Sequence, residues 1–141
     1  IVSSEKGKSF MGSEFTNADM SSPPVNDFKH SIIDETDKNY IIESIPVSDK
    51  KADEYGYSRK VSIINRTNFL VNKMDFYNSF DELFKTILIK DVKAVEESGY
   101  IISHMTAENF INGRTSEIVI EDIRTGTGIN DQLFNVANLG R

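Results

Sequence analysis

Residues 100–124, YIISHMTAENFINGRTSEIVIEDIR, decide the fold. The stretch holds two alternating runs, 100–110 and 114–124, on either side of Asn112-Gly113. In the first, Ile101 and Met105 lie on one side, Ile102 and His104 on the other. In the second, Ile118 and Ile120 share a face opposite Glu117, Val119 and Glu121. A side-chain period of two is the signature of a strand. Asn-Gly between two such runs predicts a β-hairpin closed by a type I′ turn, because these residues tolerate the positive φ that the turn demands.

Upstream the same period recurs. In 69–77, Leu70, Asn72, Met74 and Phe76 oppose Phe69, Val71, Lys73, Asp75 and Tyr77. Within 81–92, Leu83, Ile87 and Ile89 oppose Phe84, Thr86 and Leu88, so both faces are apolar. Strands are expected at 28–35, 40–47 and 58–65 as well. Thr36-Asp37-Lys38-Asn39, Arg66-Thr67-Asn68 and Glu96-Glu97-Ser98-Gly99 read as turns, 49–54 as a charged loop, and Pro46 as a strand end. Thr16 is a candidate N-cap with Asp19 three residues on, predicting one short helical turn that Ser21-Ser22-Pro23-Pro24 ends. Thr125-Gly126-Thr127-Gly128 reads as a loop, and 131–135 as a second helical turn. Seven consecutive strands with short connections must pair antiparallel, since parallel neighbours need long crossovers. The expected class is mainly β, with one or two short helices, in a single domain over 1–141.

Composition limits the function. The 141 residues are 38% hydrophobic and include 9 Phe and 5 Tyr, enough for a core. A net charge of −6 disfavours a nucleic-acid partner. With no cysteine, disulfides, thiolate nucleophiles and Cys-ligated metals are excluded. No apolar run approaches the ~20 residues of a membrane span. The chain begins Ile1-Val2 without an initiator Met, so its natural N-terminus is expected upstream, and the lack of a signal peptide says nothing about export.

The alternation makes one sheet face mostly greasy and the other mostly charged, as in a sheet wet on one side. The greasy face needs a cover: the sheet's own curl, a helical segment, a partner or a lipid. Leu70, Met74, Phe76, Phe84, Leu88, Ile101, Met105, Ile118 and Ile120 are the candidate lipid-binding residues, against the ordinary reading of core. Met74 and Met105 are soft enough to suit varied cargo. No catalytic, metal or cofactor site is expected. His30 and His104 lie far apart with no ligand triplet, and Gly126-Thr127-Gly128 has Asp131 where a phosphate loop's third Gly would stand. Glu14 with Asp19, and Glu96-Glu97, read as a capped and a solvated turn. Asn65-Arg66-Thr67 spells a glycosylation sequon without further support.

Residues 9–20, SFMGSEFTNADM, resemble the outer-membrane lipoprotein-sorting (LolA-like) family: a Phe-x-Gly-Ser-acidic-Phe segment, polar residues, then Asp and an apolar residue. Further similarities follow in order. They are 40–46, Tyr57-Ser58-Arg59-Lys60 with Val61-Ser62-Ile63, and Lys73-Met74-Asp75-Phe76-Tyr77 with Leu83-Phe84-Lys85-Thr86. Then come Glu108-Asn109 with Gly113-Arg114-Thr115, Ile120-Glu121-Asp122-Ile123, and Thr127-Gly128-Ile129 with Asp131-Gln132-Leu133-Phe134. The resemblance spans nearly the whole chain and corresponds to the family's C-terminal portion, without the N-terminal half of its fold. It implies a curved, open half-barrel sheet whose concave apolar surface holds lipoprotein acyl chains or another lipid. It also implies a periplasmic location, and a membrane transporter or outer-membrane acceptor as delivery partner. The competing readings are a protein-interaction or sensor module whose apolar face docks a partner such as a membrane transporter, and an enzyme, for which no polar constellation is visible.

Overall fold

The computed structural model describes residues 7–9, 12–16, 18–20, 24–95, 99–122 and 133–139. Its centre is one sheet of eight strands in sequence order: β1 Phe28–Glu35, β2 Asn39–Pro46, β3 Arg59–Asn65, β4 Val71–Tyr77, β5 Leu83–Val95, β6 Gly99–Asn109, β7 Thr115–Asp122 and β8 Leu133–Leu139. Every neighbouring pair is antiparallel. The sheet is open, with β1 and β8 as its edges. The antiparallel, mainly β architecture read from the alternation is therefore present.

Four local expectations change. The span 49–54 is not a loop: Asp49–Tyr55 forms a helix, α1. The Ser48 side chain accepts from the Lys51 N–H at its start, and Gly56 ends it at φ 85, a left-handed conformation that glycine adopts without strain. With only Tyr55 buried, this helix carries no apolar stripe for a periodicity argument to find. The expected helical turn at 131–135 is overturned where described, because Leu133–Leu139 pairs with β7 from Thr115↔Leu139 to Asp122↔Leu133. The 131–132 part, the 125–128 loop and most of the 96–99 turn lie outside the described residues.

The hairpin at Asn112-Gly113 is real but is not type I′. Its loop runs 110–113, closed by Asn109 N–H donating to Arg114 O and Gly113 N–H donating to Asn109 O. Gly113 has φ 72 while Asn112 is not positive, and type I′ needs both. The Asn109 side chain shapes the turn by accepting from the N–H groups of Ile111 and Asn112. Finally, β4 starts at Val71 and β5 at Leu83, because Phe69 (φ 60) and Asp81 (φ 59) still belong to turns. Asn65 and Asn78 organise those turns through side-chain oxygens that accept backbone N–H groups.

The expected turn near Thr16 exists as a single 3-10 turn, Ala18–Met20. Thr16 and Asp19 cap each other: Thr16 N–H donates to Asp19 Oδ2 at 2.7 Å, and Asp19 N–H donates to Thr16 Oγ1 at 3.2 Å. This segment and α1 lie on one face of the sheet. There Phe15, Ala18, Tyr55 and Tyr57 join Phe28, Phe76, Ile87, Met105, Ala107 and Ile118 in the core.

Candidate functional site

Register sorts the side chains of that face into rows. The first row runs His30, Ser44, Lys60, Phe76, Lys85, Asn109 across β1 to β6. The second runs Ile32, Ile42, Ser62, Met74, Ile87, Ala107, Ser116 across β1 to β7. A third contains Ile89, Met105 and Ile118, with Tyr40 beside Ile64 on the β2–β3 side. The first row is polar with one aromatic, and the next two are apolar with scattered serines. The opposite face is mixed: charged pairs alternate with Ile41, Val61, Ile63 and Leu88. On it Arg59 pairs with Glu43 and Asp81, Lys73 with Asp75, and His104 with Glu117, while Thr86 donates to Asp75. The division into a greasy and a charged face that the alternation implied is therefore only partial, because these apolar residues share the charged side.

The cover on the greasy face is uneven. Over β5 to β7 residues 13–16 with Ala18 and Asp19 seal it. Glu14 N–H donates to Ser116 Oγ at 2.9 Å, Asn112 donates to the Glu14 carboxylate, and Ile87, Ala107, Ser116 and Ile118 are fully buried. Over β1 to β4 the apolar rows stay partly open: Ile32 is exposed, and Ile42, Ile64 and Met74 are half-buried.

Between the two zones stands a cluster of rings and charges. Phe28, Tyr55, Tyr57 and Phe76 are linked at ring distances of 4.8–6.1 Å. Tyr55 donates to Asp27 Oδ2 at 2.6 Å. Lys85 donates to Asp19 Oδ2 at 2.7 Å, with both side chains about 95% buried, and its ammonium stands 4.6 Å from the centre of the Phe76 ring. Beyond Phe76 on the same row, Lys60 stands over the Phe28 ring at 5.6 Å. Burial lowers the Lys60 ammonium below the usual lysine range, against the opposing pull of Asp19. Burial, reinforced by the Asp19 charge, pushes the Tyr57 phenol well above the usual tyrosine range.

The nine sequence-derived candidates do not form one surface. Met74, Phe76, Ile101, Met105, Ile118 and Ile120 share the greasy face, by register and by the alternating burial of β6 and β7. Of these, Phe76, Met105, Ile118 and Ile120 are buried and only Met74 and Ile101 are half-open. Phe84 packs against the core. Leu88 pairs with Lys73 and Thr106 on the charged side of the sheet and is exposed. Leu70 precedes β4 and lines an open depression of about 210 Å³ with Val71, Ile89, Lys90 and Val92. Sequence reasoning missed Ile32, Ile42 and Ile64, although each occupies an alternating position in its strand. It also missed Lys60, whose side-chain surroundings only the register reveals.

The two histidines lie on opposite faces, His30 against the Ser44 hydroxyl at 2.7 Å and His104 against Glu117. Among the described residues no three His, Cys, Asp or Glu side chains are placed to share a metal ion, and no helix is long and apolar enough to cross a membrane.

Comparison with known proteins identifies the fold. A family model described as an uncharacterized protein matches residues 1–141. No curated protein matches the chain. An outer membrane lipoprotein-sorting protein domain from Vibrio parahaemolyticus superposes with TM-score 0.79 at 24% identity, covering 93% of this chain and 56% of that one. A DUF1329 family protein from Desulfovibrio piger gives 0.75 at 25% identity, covering 91% and 54%. A LolA superfamily protein from Nitrosomonas europaea gives 0.65 at 15% identity, covering 85% and 57%. The chain thus spans a little over half the length of the solved structures it matches.

Proposed function

Because this chain belongs to the family of uncharacterized proteins whose model it matches over residues 1–141, and carries the LolA-like lipoprotein-sorting fold, we propose that it is a non-enzymatic carrier of acyl chains. Its cargo is a lipoprotein or another lipid, and its place of work is the periplasm, where the resembling family acts. The observation that carries this reading is the divided greasy face, sealed over β5 to β7 and partly open at Ile32, Ile42, Ile64 and Met74. An acyl chain needs no catalytic group to be held there. Each buried methylene contributes about 0.8 kcal/mol, so about ten would supply roughly 8 kcal/mol before ordering costs. Release then needs a competing acceptor, at the outer membrane or on a transporter.

Native mass spectrometry of the full-length protein purified from a membrane-containing extract tests the carrier. A co-purifying lipid or acylated peptide is the expected result. A clean apo mass, unchanged after lipid is added, would overturn the carrier. It would favour the second reading, a module that docks a protein such as a membrane transporter. That alternative draws on β1, an edge strand with seven of its eight residues exposed, Ile32 and Ile33 among them. An open edge of this kind can accept another strand.

A further inference from the structure

We propose that Lys60 is a head-group site, its ammonium pairing with the oxyanion of an amphiphile whose acyl chain lies over Ile42, Ile64 and Met74. The proposal rests on the carrier reading and adds the chemical class of the cargo: an acyl chain ending in a carboxylate or phosphate.

Two lysines, Lys60 and Lys85, flank Phe76 in one row of the greasy face. Among the described residues, one carboxylate of the covering segment, Asp19, acts on both: it pairs with Lys85 and opposes the effect of burial on Lys60. Asp19 Oδ2 already accepts from Lys85 and from the Thr16 N–H. Glu43, the nearest acid on β2, belongs to the opposite face and pairs with Arg59. The Ser44 hydroxyl beside Lys60 is engaged with His30. Among the described residues no hydrogen bond or ion pair reaches the Lys60 ammonium, and the Phe28 ring is its one cation–π contact. A half-buried ammonium with no acceptor is costly, and burial accordingly lowers its proton affinity. An arriving oxyanion would relieve that cost.

Lys60 lies at the polar end of the open zone. From Lys60 to Ile64 along β3 is four residues, roughly 13 Å of strand, past Ser62 and beside Ile42 and Met74. At the far end lies the depression at Leu70 and Ile89. A cation at one end of an apolar strip matches an anionic amphiphile, and the strip itself would accept a neutral one without preference for its head.

The test compares a long-chain fatty acid, the fatty alcohol of the same length, phosphatidylglycerol, and inorganic phosphate alone, each titrated into the full chain and its Lys60→Met and Lys60→Arg variants. The wild type is expected to bind the fatty acid or phosphatidylglycerol at least about tenfold more tightly than the alcohol, the size expected of one charge-assisted hydrogen bond. Which of the two binds more tightly identifies the oxyanion. Lys60→Met should abolish that preference, and Lys60→Arg should retain it. Inorganic phosphate should not bind. Equal affinity for acid, phospholipid and alcohol, unaltered in Lys60→Met, would overturn the head-group site and leave the carrier standing. Absence of binding by every amphiphile would overturn both, and phosphate binding without an acyl preference would show an anion site unconnected to the apolar strip.

Discussion

Asp19 shows how one residue can hold a covering segment in place. Its carboxylate caps its own turn through the Thr16 N–H and accepts from Lys85, 66 positions away in the chain. The two ends of that network differ in how visible they are in the sequence. Thr16 and Asp19 are legible because a capping box is a local pattern. Lys85 is not, because nothing around it distinguishes a buried lysine from a solvated one. Replacing one partner of a buried pair leaves an uncompensated group, at a cost of about 3–5 kcal/mol. Asp19→Asn and Lys85→Met are each expected to lower the unfolding free energy by that amount, read in urea as a midpoint lowered by the loss divided by the m-value. The double variant should lose clearly less than the sum, and strictly additive losses would show that the two side chains are not coupled.

At the scale of elements, strands were legible and the helix was not. Each strand repeats its alternation often enough to declare a period, whereas α1 has seven residues and buries only Tyr55. Its signals are at its ends, in Ser48 and Gly56. Ser48→Ala should therefore destabilise the protein by about 1 kcal/mol, measurable as a lower denaturation midpoint with the sheet's circular dichroism unchanged. A loss well under half that size would mean that Tyr55 and its Asp27 hydrogen bond hold α1 without help from its cap. Strand β8 was missed for a different reason. It forms along an edge that β7 offers, and the spacing of Leu133, Phe134 and Val136 suits a turn or a strand equally well.

At the scale of the whole molecule, the buried tyrosines set the alkaline limit of stability. Burial raises both Tyr55 and Tyr57, with the Asp27 hydrogen bond adding at Tyr55 and the Asp19 charge at Tyr57. Both therefore stay neutral in the folded state when the unfolded chain ionises near pH 10. Their contribution is complete below that pH and is lost as pH rises above it. Lys60, lowered by burial, acts with the opposite sign: its cost is largest below its folded value and fades as pH approaches 10.5. Two tyrosines outweigh one lysine, so unfolding free energy should be steady near neutrality and fall above pH 10. Tyr57→Phe should reduce that fall by one proton's share, about 1.4 kcal/mol per pH unit. Denaturant titrations at pH 9, 10 and 11 check this, and an unchanged slope in the variant would show that Tyr57 ionises in the folded protein.

The sequence by itself determined the antiparallel sheet, the order of its first seven strands, the capped turn at Thr16 and the assignment of alternate side chains to two faces. All of these follow from periods of two and from caps, which are properties of neighbours in the chain. Only the tertiary structure decided which part of the greasy face is core and which is open. That depends on where residues 13–16, Ala18, Asp19 and α1 come to rest, and on the register that sets Lys60, Phe76 and Lys85 side by side. Alternation tells a side chain which face it occupies. What covers that face comes from residues dozens of positions away, so Met105 and Ile118 are sealed while Ile42 and Ile64, with the same local pattern, stay partly open.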